Sequence, residues 1–131
     1  MKSETSFDLD GDLIVVDATV VGPRGQAQVR LVLDTGAVLT TVIPTIAESI
    51  GYTSADRVAW SVTRTAAATE RGYIVRVAQF STLGFIVPDL HVGVADLGYG
   101  VEGVLGMNFL SDLNFEIRPA ERRILVEKIA P

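Results

Sequence analysis

"VRLVLDTGAVLTTV", Val29 to Val42, reads as a strand built for burial that is interrupted at its centre by Asp34-Thr35-Gly36. Ala27, Val29, Leu31 and Leu33 alternate with Gln28, Arg30 and Val32, the period of a strand with one buried face. A carboxylate between apolar flanks is costly to bury unless it is paired, hydrogen-bonded or protonated. The interruption is therefore either a plain turn or the seat of a catalytic acid, and the surrounding sequence has to decide.

Upstream, "DLIVVDATVVG" (Asp12 to Gly22) is rich in β-branched residues and ends at the turn signal Gly22-Pro23-Arg24-Gly25, so the two runs form a hairpin that delivers Asp34. Downstream, Val38 to Ile43 resumes the strand pattern. Pro44 followed by "TIAESIG" predicts a short helix, with proline in its first turn and Gly51 at its carboxyl end. Arg57 to Gln79 predicts a long hairpin whose tip lies near Ala66 to Arg71. Gly84 marks a turn, and "FIVPDLHVGVAD" (Phe85 to Asp96) reads as one further strand in which Pro88 implies an edge or a bulge. "LGYGVEGVLGMNFLSDL" (Leu97 to Leu113) supplies a glycine-dense loop, a short strand at Val104-Leu105, Gly106 and a helical turn from Met107. Phe115 to Ile117 and Ile124 to Ile129 close the chain as two strands around Pro119-Ala120-Glu121. No linker or low-complexity run divides it, so one β-rich domain is expected over residues 1–131, its core at about 12–129 and residues 1–11 a polar amino-terminal segment. A faint internal repeat sets strand, Asp34-Thr35-Gly36, strand and helix against "VGVAD", Gly98, Val104-Leu105-Gly106 and the turn at Met107.

Composition removes whole classes of function. Of 131 residues 48% are hydrophobic, enough to close a core and too many for a disordered chain. The net charge of −5, with lysines and arginines scattered, argues against nucleic acid. The absence of cysteine excludes disulfides, thiolate nucleophiles and cysteine metal sites, and the single histidine, His91, leaves no partner for a zinc cluster. No cofactor or metal site is expected. The polar, acidic start "MKSETSFDLDGD" is neither a signal peptide nor a membrane segment, so the expected location is cytoplasmic if this is the full-length chain.

"LVLDTGAVLTTVIP", the central hairpin and "VEGVLGMNFLSDLNFEI", in that order and spacing, identify a resemblance to the retropepsin-like aspartic proteases, in particular their bacterial single-domain members. The three letters Asp-Thr-Gly occur by chance in many turns. Asp-Thr-Gly-Ala after an apolar strand, followed about seventy residues later by two hydrophobics and a glycine opening a helix, is far more specific. The resemblance covers about Ile14 to Ile129. It implies an all-β fold, an acid-protease barrel with one or two short helices and one lobe per chain. With a single Asp-Thr-Gly, it also implies a homodimer in which each subunit donates one Asp34.

Chemistry agrees with that implication. Peptide hydrolysis without a metal or covalent nucleophile needs one group to activate water and another to protonate the carbonyl or leaving nitrogen. Two carboxylates held close share one proton and fill both roles, a coupling for which aspartic proteases are themselves the standing illustration. The resemblance assigns Thr35 a hydroxyl bond to the other subunit's backbone and Gly36 an amide aimed at the carboxylate. Ala37 matches the retroviral pattern, where pepsin-like enzymes carry a hydroxyl, which predicts a mildly acidic to near-neutral optimum. Val104, Leu105 and Gly106 match the strand beneath the active-site loop, while Met107-Asn108 replaces the arginine-containing turn of retroviral relatives. Val38, Leu39 and Val101 are candidate substrate contacts, as is Glu102, whose charge would favour a basic substrate side chain. The flap would be Thr65, Ala66, Ala67, Ala68, Thr69, Glu70, Arg71 and Gly72.

Other acidic residues compete. Asp96-Leu97-Gly98 falls at the repeat position matching Asp34, but Leu97 cannot make a threonine's hydrogen bond. Asp8, Asp10 and Asp12 resemble a calcium loop without the required glutamate. His91 lacks a nearby nucleophile, and Trp60 and Tyr73 are expected to stabilise the hairpin base. Two functions follow: an aspartic endopeptidase acting on polypeptide substrates, or a catalytically silent dimerisation or peptide-binding module of the same fold.

Overall fold

The computed structural model describes residues 1–64, 69–98 and 100–129. The fold is mostly β. β1 (Lys2–Ser6), β2 (Asp8–Asp10), β3 (Leu13–Gly22) and β4 (Gly25–Leu33) lead to the short β5 (Thr41–Val42) and helix α1 (Pro44–Ser49). Then come β6 (Ala59–Arg64), β7 (Thr69–Arg76), β8 (Gln79–Thr82), β9 (Phe85–Pro88), β10 (His91–Val94) and β11 (Gly103–Leu105). Helix α2 (Met107–Leu110), β12 (Leu113–Arg118) and β13 (Arg123–Lys128) complete the described chain. Among the described residues no helix is long and apolar enough to cross a membrane.

The large sheet has the order β6-β7-β10-β5-β11-β4-β3-β8-β9, with β2 added on β3. Because the order begins at β6 and ends at β9, the sheet has two ends and is not closed into the expected barrel. A second sheet, β1-β13-β12, packs Ile124 and Val126 into the same core as Val16, Leu31, Phe80 and Leu105. Phe80 and Phe109 meet there with ring centroids 5.5 Å apart, tilted by 58°.

Three expectations need correction. Residues 1–11 are not merely a polar segment. Lys2 to Ser6 pair with Arg123 to Glu127, and a sequence this polar holds a strand because its exposed positions alternate with half-buried Ser3 and Thr5, set opposite Val126 and Ile124. Phe85 to Asp96 is two strands, β9 and β10, parted by a kink at Asp89 with a φ of 56°, although both keep one antiparallel register with the preceding arm, Phe85 opposite Thr82 and Val94 opposite Tyr73. The strand foreseen over Val38 to Ile43 shrinks to Thr41–Val42, because the Val38 carbonyl and the Thr40 amide bond to Asn108 of α2, and of these groups only the Thr40 carbonyl meets a strand, at the Gly93 amide of β10.

The centre of the large sheet positions everything that follows. β5 and β11 run antiparallel with Thr41 opposite Val104. Each also lies parallel to a longer strand: Val94 is registered with Val42 on one side and Leu33 with Leu105 on the other. Exchanging β4-β5-α1 with β10-β11-α2 reproduces the pattern, so a local two-fold axis passes through the Thr41 and Val104 pair. The faint sequence repeat has this physical basis.

Candidate active site

Asp34 follows directly on β4 and is half-buried. Its N–H donates to the Leu105 carbonyl at 3.0 Å, which extends the ladder between β4 and β11 by one residue and fixes where the carboxylate begins. The Gly36 amide donates to Asp34 Oδ1 at 2.9 Å, and the Ala37 amide to the Asp34 carbonyl at 3.1 Å. A Cβ on Gly36 would stand 3.2 Å from that same Oδ1, so a small residue here lets the amide reach the carboxylate. Thr35 and Gly36 are exposed.

Three of the next four residues are bonded to α2 and the glycine before it. Met107 and Asn108 donate backbone N–H groups to the carbonyls of Ala37 and Val38 at 2.8 and 3.0 Å. Asn108 Oδ1 accepts from the Thr40 amide at 2.8 Å, while Asn108 Nδ2 donates to the His91 carbonyl at 2.7 Å. The fully buried Thr40 hydroxyl accepts from the Gly106 amide at 3.0 Å. A Cβ on Gly106 would lie within 2.9 Å of backbone atoms of Leu39, Ala37 and Thr40, so only glycine lets the loop lie this close. Thr40 and Asn108 were not foreseen as supports. The signal was present: each is a polar residue inside an apolar run, and a buried polar group needs a partner.

A cleft of about 620 Å³ opens at Asp34. Leu13, Val32, Val38, Leu39, Leu97, Val101 and Val104 give it an apolar wall. Ser61 and Val62 of β6 also line it, which brings the hairpin to the same cleft as Asp34. Val38 is 82% exposed, a large apolar side chain left open beside the carboxylate. Leu105 is wholly buried beneath.

Other candidates sit elsewhere. Glu102 does not line the cleft; its Oε1 accepts from the Arg30 amide at 2.8 Å. Thr65 to Ala68 of the expected flap lie outside the described residues, as do the side chains of Thr69 and Glu70. Gly72 belongs to the stem of the hairpin: a Cβ there would meet the Val94 carbonyl oxygen at 2.3 Å and Ala95 Cβ at 3.0 Å. Arg71 is exposed, and with Gly72 it borders a separate hollow beside Trp60. Trp60 stands opposite Tyr73 and under the Arg57 guanidinium, 4.2 Å from the ring centroid. Burial pushes the Tyr73 phenol above its ordinary range, and the carboxylates of Glu48 and Asp56 add to the shift.

Asp96 is also displaced from its expected place. In the second half the ladder bond equivalent to that of Asp34 is made by Ala95, whose N–H donates to the Val42 carbonyl at 3.1 Å. Asp96 therefore matches Thr35 in register, one residue late, and lines a different hollow with Ile43, Pro44 and Thr45. Alternation along an extended chain sends the two side chains to opposite sides.

A family model described as aspartyl protease matches residues 16–109. Among solved structures, a retropepsin-like aspartic protease from Rickettsia conorii is similar with a TM-score of 0.68 at 18% identity, over 96% of this chain and 91% of that one. The retroviral protease-like domain of Ddi1 from Leishmania major is similar with a TM-score of 0.60 at 14% identity, over 92% of this chain and 97% of the other. No match was found among curated proteins.

Proposed function

This chain belongs to the aspartyl protease family, and on that premise we propose that it is an endopeptidase whose catalytic group is a pair of Asp34 side chains contributed by two copies of the chain. The observation that carries this reading is Asp34 itself: a half-buried carboxylate clamped by the Gly36 amide at 2.9 Å, in an aliphatic cleft that the hairpin also borders. Asp96 supplies no second carboxylate to that cleft, so the partner acid comes from another copy.

In this mechanism one Asp34 is ionised and its twin protonated, because two close carboxylates do not both ionise readily. The ionised member takes a proton from the water between them while the protonated member donates a hydrogen bond to the scissile carbonyl. The oxygen of that water bonds to the carbonyl carbon. The C–N bond then breaks, the leaving nitrogen collects a proton, and the two carboxyls return to one shared proton. The pair titrates as a unit, so the pH–rate profile is bell-shaped. Thr35, Gly36 and Ala37 hold the carboxylates in place, and Val104, Leu105 and Gly106 support them from below.

The apolar wall suits extended polypeptide segments with aliphatic or aromatic side chains, and the Val38, Leu39 and Val101 side chains make the contacts. The test is digestion of a mixed peptide library by the wild type and Asp34→Asn, with the mass of each in solution measured alongside. Cleavage lost in the variant while the dimer persists supports the proposal. A dimer with no cleavage by either protein would move the reading to a silent peptide-binding module.

A further inference from the structure

We infer that Glu102 is a positioning residue that sets the Val101 wall of the cleft relative to Asp34, an assignment that rests on the proteolytic reading of that cleft. β11 lies between β4 and β5, and residue 102 stands at its entry. On the β5 side its main chain suffices: the Glu102 carbonyl accepts from the Ile43 amide at 3.0 Å. On the β4 side the strand register spans only Val104 with Val32 and Leu105 with Leu33, which leaves the Arg30 amide beyond the ladder. The Glu102 carboxylate extends to it and takes that hydrogen at 2.8 Å, in the place of a missing strand carbonyl. An N–H bonded to an ionised acceptor is about twice as strong as one bonded to a neutral acceptor.

The residue that follows Glu102 is tightly packed. A Cβ on buried Gly103 would stand 2.4 Å from the Thr41 carbonyl oxygen and 2.6 Å from Leu31 Cδ2. Val101, the adjoining residue, is cleft wall. β4, the strand that Glu102 grips, ends at Leu33, and Asp34 follows directly. One side chain therefore ties the substrate wall to the strand that carries the carboxylate, and it does so while turned away from the cleft.

The test compares Glu102→Ala, which removes the acceptor, with Glu102→Gln, which keeps a carbonyl oxygen and removes the charge. Glu102→Ala is expected to raise KM about tenfold with kcat changed less than about threefold, and Glu102→Gln to bring KM back to within about threefold of wild type, the loss of one hydrogen bond being roughly a tenfold effect. Hydrogen exchange at the Arg30 amide, read by NMR, should speed up about tenfold or more in Glu102→Ala and stay slow in Glu102→Gln. Unchanged exchange and unchanged KM in Glu102→Ala would overturn the assignment. So would an equal loss, in both variants, of a preference for lysine over leucine in the substrate, since that marks a charge facing the cleft. If the wild type cleaves no peptide, the proteolytic reading fails, and exchange at Arg30 alone decides whether Glu102 holds the wall.

Discussion

The Asp34 loop and the Asp96 loop are built on one plan and end in different surroundings. Each follows a strand held parallel to one of the two central short strands, and each closes by the same turn. Gly36 N–H reaches Asp34 Oδ1 at 2.9 Å, and Gly98 N–H reaches Asp96 Oδ1 at 2.9 Å. What separates them is one residue of register and the support behind the loop. Asp34 makes the ladder bond itself, whereas in the second half Ala95 makes it and Asp96 falls one place later. α2 grips Ala37, Val38 and Thr40, whereas the described residues after Asp96 include glycines 98 and 100 at positive φ. An acidic residue in a tight turn is thus not by itself a candidate site, and register and buttressing set Asp34 apart from Asp96.

The sharpest way to break this contrast is to neutralise each carboxylate in turn. Asp34→Asn should lower peptide cleavage by about a thousandfold or more, while Asp96→Asn leaves it unchanged, because general acid–base groups of this kind contribute about 10²–10⁴-fold. Matched steady-state assays at one protein concentration check it. Equal losses in both variants would mean that the two loops share one function.

The buttressing comes next. Gly106 and Ile43 are equivalent about the local axis, each preceding a helix, yet only Gly106 has backbone packed against the position of its missing side chain. Gly106→Ala should cost about 3 kcal/mol, the upper end of the range for overpacking, since carbonyl and amide atoms cannot rotate aside. Thr40→Val keeps the shape and removes the acceptor of the Gly106 amide, leaving a buried donor unpaired at about 2 kcal/mol. Urea unfolding midpoints measure both, and a smaller cost for Gly106→Ala than for Thr40→Val would show that the loop yields more easily than its contacts imply.

The smallest effect concerns the hairpin stem. Burial raises the Tyr73 phenol above its usual value, helped by Glu48 and Asp56, so the folded chain holds that proton more tightly than the unfolded one. Its contribution is full below the unfolded pKa of about 10 and disappears as pH rises through the folded value. Tyr73→Phe should slightly flatten the loss of stability above about pH 10, as thermal melts across alkaline pH would reveal.

Much of this was legible in the sequence because it rests on short-range pattern. The alternation from Ala27 to Leu33 and the proline and glycine around α1 announced strand and helix. The aliphatic run at Val104-Leu105 marked a buried strand. The register of Asp96 was not legible, since a one-residue shift leaves the local sequence equally plausible and only pairing with Val42 reveals it. Glu102, expected as a substrate contact, does not line the cleft, and the reason is related: its carboxylate meets the Arg30 amide, a contact visible only once β11 is known to start beyond the register of Arg30. Strand β1 was hidden because its apolar surface comes from Ile124 and Val126, more than a hundred residues away in the chain.

The most direct test of the central claim, that one site needs an Asp34 from each of two copies, is to co-refold equal amounts of wild type and Asp34→Asn and to measure cleavage. Random pairing of two subunits predicts about one quarter of the activity of the same total amount of wild type, only the fully wild-type pairs being active. A value of about one half, which independent single-chain sites would give, would contradict the account.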